Sequence, residues 1–199
     1  MDKTIEQIFK AFSHIAREVQ IYLISGFLVI LNILACEYLN DNLCIFYNVF
    51  QKQFIIPLII IAYVIGHICV AVFYAIRYII SKCGKIEEDL KDCIEFKHEA
   101  NLTILPSLYK KDPKTYTHFI ERYDLLNSMR RTMSAAFFIN FLVDIIYCIT
   151  DCECQIQICS LGGVSFLAFA CLFILTYRTE KGLADRIDRV NELNITKLW

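Results

Sequence analysis

The sequence predicts an all-α membrane protein: four transmembrane helices with helical cytoplasmic extensions. Three observations lead there. Four apolar runs, Val19–Tyr38, Phe54–Ile80, Ser134–Thr150 and Gln155–Tyr177, approach or exceed the roughly 20 residues that a helix needs to cross a hydrocarbon core of ~30 Å. The chain of 199 residues is 57% hydrophobic with a mean hydropathy of +0.48, too apolar for a soluble domain of this size. Of its 20 Lys and Arg residues, all but Lys52 fall on one side once the four runs are threaded through a bilayer. Lys and Arg mark cytoplasmic segments. Both termini and the segment between spans 2 and 3 are therefore expected in the cytoplasm.

Residues 1–18 read as an amphipathic helix. Ile5, Ile8, Phe9, Phe12 and Ile15 recur at three and four, with Asp2, Lys3, Glu6 and Lys10 on other faces. Such a helix lies in the membrane interface, runs straight into span 1, or packs on the protein's own cytoplasmic helices. No cleavable leader is evident, since the stretch carries acids and lacks a small-x-small site. Residues 19–82 form the first transmembrane hairpin, with Pro57 tolerated near the start of span 2. Residues 83–133 form the cytoplasmic insert. Gly84 breaks the run out of span 2, Lys85–Ala100 is a charged helix, and Asp112-Pro113 is a helix start. No Gly or Pro follows until Gly162, so one helix is expected to run from Pro113 through span 3, the shortest span. Residues 134–177 form the second hairpin, and residues 178–199 a cytoplasmic C-terminal helix.

Each span carries a polar or small residue at a similar depth. At 1.5 Å per residue from the cytoplasmic end, Asn32 and His67 lie about 20 Å in, Asp144 about 15 Å and Ser165 about 18 Å. An Asp is costly in lipid and must find a partner or water; His67 is the obvious partner for Asp144. This layer is either a proton- or ion-sensitive site, a pore lining, or a polar contact that fixes helix packing. The 10 cysteines divide by compartment. Cys36, Cys44, Cys152 and Cys154 fall in or beside the outward loops, where an oxidising environment permits disulfides between Cys36 or Cys44 and Cys152 or Cys154. Cys83 and Cys93 fall in the reducing cytoplasm, and Cys69, Cys148, Cys159 and Cys171 lie in or at the edge of spans as small hydrophobes.

Two apolar stripes project beyond the membrane: Phe119, Tyr123 and Leu126 entering span 3, and Leu183, Ile187, Val190 and Leu193 leaving span 4. An insert this small offers little material to cover both. Intramolecular packing covers part. Further copies of the chain, for example a tetramer about the membrane normal, would cover more. The remainder is a docking surface for a soluble cytoplasmic protein. Lys110-Lys111 and Arg130-Arg131 meet anionic membrane lipid. Acids such as Glu87-Glu88-Asp89 offset the basic residues, so direct nucleic-acid binding is not indicated. The sequence holds no Walker loop, Ser-His-Asp arrangement, zinc spacing or dinucleotide fingerprint, and the expectation is a non-enzyme without metal or cofactor.

Two resemblances bear on function. Size, four spans, an Ile-, Phe- and Asn-rich composition and a helical insert between spans 2 and 3 resemble the small membrane subunits of prokaryotic anti-phage defence operons. Among these is the membrane component of the Kiwa system. Local features attached to this resemblance are Tyr63-x-x-Gly66-His67, Glu121-Arg122-Tyr123 and Arg130-Arg131. It implies a homo-oligomeric sensor of membrane disturbance that holds a soluble DNA-binding effector at the cytoplasmic face. The second resemblance, of layout alone, is to the disulfide-generating quinone reductases of bacterial inner membranes. Their first outward loop carries Cys-x-x-Cys, where this chain has Cys36 and Cys44, and their middle loop is short. A pore built by an oligomer around the polar layer is the other alternative.

Overall fold

A computed structural model describes residues 3–40, 51–83, 122–150 and 155–195. Four helices account for almost all of them: α1 (Lys3–Leu39), α2 (Ile55–Cys83), α3 (Arg122–Thr150) and α4 (Gln155–Ile195), with a 3-10 turn at Lys52–Phe54 before α2. The described residues contain no strand. Each of the four helices holds a segment long and apolar enough to cross a membrane, so the protein is built as a multi-pass membrane protein.

The helices are longer than the spans they carry. The amphipathic stretch and span 1 form a single helix, α1, whose 37 residues contain no proline. It stops where Asn40, a residue suited to helix ends, donates its backbone N–H to the Cys36 carbonyl at 3.1 Å. The 3-10 turn, closed by Phe54 N–H on the Gln51 carbonyl at 2.9 Å, leads into α2, with Pro57 in its first turn, where no N–H is missed. The helix that carries the third span begins by Arg122, and its apolar segment long enough to cross a membrane runs from Tyr123 to Thr150. On this helix Asn127 donates to Glu180 and Arg130 to Thr179, so both side chains are bonded within the protein. Span 4 and the segment after it also form one helix, α4, of 41 residues through to Ile195. A helix start at Pro113 and the helix Lys85–Ala100 fall outside the described residues.

The chain divides into two compact units, residues 1–73 with 131–172 and residues 74–130 with 173–199. In the first, α1 and α2 meet backbone to backbone. A Cβ on Gly26 would collide with the Ala62 carbonyl, and a Cβ on Gly66 with the Tyr22 carbonyl. Ala62 and Gly66, four apart on α2, thus face Tyr22 and Gly26, four apart on α1, the small-residue contact that brings helices close in lipid. Ile30, Leu34 and Ala62 form a core beside this crossing, flanked by Leu23, Phe27, Leu58 and Ile65. The α3–α4 hairpin is held by ring pairs Phe138–Phe169 and Phe141–Phe166, each 5.1 Å between centroids, and by Ser134 Oγ donating to the Phe169 carbonyl at 3.4 Å. Asn140 Nδ2 donates to the Leu28 carbonyl at 3.4 Å and Tyr147 to Glu37 at 2.5 Å, tying α3 to α1.

In the second unit, the Arg77 guanidinium lies 2.8 Å from Glu180 Oε2. Asn127 Nδ2 donates to Glu180 Oε1 at 3.3 Å, and Arg130 Nη1 to Thr179 Oγ1 at 2.9 Å. Among the described residues, large apolar side chains stand exposed along the spans, with Ile56, Ile60, Val64 and Ile68 on α2 and Val164, Leu167 and Ile174 on α4. A soluble protein does not show such surface, and hydrocarbon accepts it.

Candidate functional site

The site is a carboxylate shared by three helices. Asp144 on α3 is 1% exposed. Its Oδ1 accepts from Asn32 Nδ2 at 2.8 Å and from the Cys36 thiol at 3.4 Å, and its Oδ2 accepts from Ser165 Oγ at 3.3 Å. Local sequence explains the assembly. Asn32 and Cys36 are four apart and so sit one above the other on a single face of α1. Ser165 lies three residues beyond Gly162 on α4, one turn along the same face. Gly162 leaves bare backbone opposite Asp144: an added Cβ there would stand 3.2 Å from the Asp144 Cβ. The glycine thus makes the space that the carboxylate fills.

The cluster lies within the apolar span of each helix. Asp144 is about 9 Å from the end of α3 at Thr150, and Asn32 about 10 Å from the end of α1 at Leu39. An ionisable residue in mid-span costs about 2.5–3.5 kcal/mol on insertion scales unless it is enclosed. Here both oxygens are enclosed and supplied with donors. The four residues form a polar node that ties α1, α3 and α4 together and leaves α2 out.

Sequence reasoning placed Asn32, His67, Asp144 and Ser165 in one layer. The structure brings Asn32, Asp144 and Ser165 together but not His67, and His67 is not the partner of Asp144. It is exposed, stacked on the Tyr22 ring at 4.0 Å between centroids and edge-on to Tyr63 at 4.7 Å. The reason is rotation about the helix axis. Gly66 must face α1 to meet the Tyr22 backbone, and the next residue points about 100° away. Cys36, one of four candidates for an outward disulfide, is a buried free thiol donating to Asp144. Cys44, Cys152 and Cys154 fall outside the described residues. So does Phe119, while Tyr123 is half-buried and Leu126 is 49% exposed. Leu183, Ile187, Val190 and Leu193 lie on α4, but their side chains are outside the described set.

Two features escaped the sequence reading. Cys36 belongs to the node, and its spacing of four from Asn32 was a signal for it. The other is the second unit's cluster of Arg77, Asn127, Arg130, Thr179 and Glu180. The opposite charges of Arg77 and Glu180, each near the end of a span, were the available clue. In that cluster Asn127 Oδ1 is buried without a hydrogen bond. Among the described residues, no three His, Cys, Asp or Glu side chains gather at metal-binding spacing. No family model, curated protein or solved structure matches this chain.

Proposed function

We propose that the protein is a non-enzymatic sensor and scaffold of the bacterial inner membrane, acting in anti-phage defence. It self-associates, responds to disturbance of the bilayer, and holds a soluble effector at its cytoplasmic face. The observation that carries this reading is the saturation of Asp144. A carboxylate with three donors from its own chain needs neither water nor an ion, so it acts as a joint between helices rather than as a pore lining. Polar contacts in a low dielectric are strong when made and costly when half-broken. A joint of this kind has two arrangements, intact or parted, and a change in helix tilt selects between them. Bilayer thinning or thickening alters helix tilt.

Two further features support the output side. Lys and Arg are gathered in the termini and the middle segment, as expected for cytoplasmic parts. The stripe Leu183, Ile187, Val190 and Leu193 continues on α4 beyond the apolar span, which ends at Glu180. The test is purification of the full chain in mild detergent with native mass measurement. It is expected to give a homo-oligomer carrying a soluble protein, and replacing Ile187 and Val190 with Asp is expected to release that protein while the spans stay inserted. Unchanged recovery of every partner by the double variant would move docking elsewhere. A pore is the second reading, favoured by the common level of Asn32, Asp144 and Ser165. Ion flux through liposomes holding the purified protein, abolished by Asp144→Leu, would establish it instead.

A further inference from the structure

The contacts between α3 and α4 follow a fixed register. Phe138 faces Phe169 and Phe141 faces Phe166, so three residues forward on α3 match three residues back on α4. Asp144 against Gly162 keeps the same order to within one residue. Seven residues make two turns of helix and return to the same face. Seven forward from Phe141 is Cys148, and seven back from Phe166 is Cys159. The register therefore sets these two cysteines opposite each other, close enough for the two thiols to interact.

The surroundings suit a covalent bond between them. A disulfide needs Cα atoms within about 7 Å. Closely packed helices with axes about 8 Å apart and Cα atoms at a radius of about 2.3 Å bring facing positions inside that limit. The glycine at position 162, one turn from Cys159, permits such an approach. Cys159 is exposed and Cys148 is half-buried. Cys148 is two residues from the end of α3 and Cys159 three residues from the start of the α4 span, so the pair sits at the rim of the spans, where a water-borne reagent reaches the exposed thiol and the half-buried one resolves the mixed disulfide.

We infer that Cys148 and Cys159 are a redox-responsive dithiol that closes into a disulfide across the α3–α4 hairpin. The oxidant is a disulfide of the glutathione or thiol-oxidase class. The Cys159 thiolate attacks one sulfur of that disulfide, forming a mixed disulfide and releasing the first thiol. The Cys148 thiolate then attacks the Cys159 sulfur, forming the intramolecular bond and releasing the second thiol. Two protein thiols and one disulfide become one protein disulfide and two thiols. The two electrons pass to the oxidant, and the protons lost by the cysteines end on its thiols. The closed bond locks the hairpin about one turn from Asp144, and the pair acts whether or not the node transmits a signal.

Oxidised glutathione is the probe, applied to the folded full-length protein in mild detergent. Remaining thiols are then alkylated, and peptides are mapped by mass spectrometry. The expected product is a Cys148–Cys159 cross-link, with the loss of two hydrogens. It persists in a Cys152→Ser, Cys154→Ser variant and is absent from Cys148→Ser and, separately, from Cys159→Ser. Cys159 is exposed, so its serine variant retains the fold even if Cys148→Ser does not. The inference is overturned if both thiols remain alkylatable after oxidation. It is equally overturned if the only bonds found run to Cys152 or Cys154.

Discussion

Asp144 is a carboxylate whose neighbours were all chosen to accept its charge or its shape. Asn32, Cys36 and Ser165 give it hydrogen, and Gly162 gives it room. Removing a donor while the acceptor stays buried costs about 1–3 kcal/mol, more than a membrane hydrogen bond contributes on average. Asn32→Leu is therefore expected to lower the midpoint of unfolding in mild detergent. The Asn32→Leu, Asp144→Leu double variant is expected to lose less than the sum of the two single changes, because it leaves no orphaned carboxylate. Strict additivity in that cycle would break the proposed pairing. The sequence disclosed the depth of these residues well, since depth follows from counting along a helix. It did not disclose their direction. Asn32, Asp144 and Ser165 share both level and direction, whereas His67 shares only the level, because the face of α2 is fixed by Gly66 against Tyr22. That constraint lies in backbone contact and leaves no mark in hydropathy.

The helices themselves were legible from apolar run length, but their ends were not. Span 3 follows from its apolar run, Ser134–Thr150, with Arg130-Arg131 set at the membrane surface. The partners of Asn127 and Arg130, Glu180 and Thr179, sit far away in sequence, so these bonds leave no mark in hydropathy. The merging of the amphipathic stretch with span 1 was left open, since neither Gly nor Pro marks a break there. Close packing of α1 on α2 gives a sharp prediction at this scale. Gly66→Val and Gly26→Val each place atoms onto a neighbouring carbonyl, and overpacking of this kind costs about 1–3 kcal/mol or more. Both variants are expected to melt well below the parent by thermal denaturation in detergent. Gly163→Ala is the control. Its added methyl meets nothing within 4 Å, so it is expected to be neutral or to stabilise by up to about 1 kcal/mol through helix propensity. A Gly66→Val protein with unchanged melting would mean that α1 and α2 do not cross here.

Along the whole chain, charge is sorted by segment. A net charge of −1 hides 20 basic and 21 acidic residues, and all the basic ones but Lys52 lie before span 1, between Arg77 and Arg131, or from Arg178 onward. Protease added from outside to intact spheroplasts is expected to spare both termini and the segment Gly84–Arg131. An impermeant thiol reagent is expected to reach a cysteine introduced at Asn42. Cleavage of the middle segment from outside would reverse the orientation and, with it, the side on which an effector could dock. The continuity of α1 adds a mechanical consequence. Its contacts at Tyr22 and Gly26 against α2 form a fulcrum, with Lys3 roughly 30 Å to one side and Asn32 roughly 12 Å to the other. The rod is therefore an unequal lever. A sideways excursion of about 3 Å at its amino end becomes about 1 Å at Asn32 by this ratio of arms, enough to stretch the 2.8 Å bond to Asp144 beyond hydrogen-bonding range. The short arm trades travel for force, so a broad, gentle push on the first helical turns arrives at the carboxylate as a small, stiff displacement.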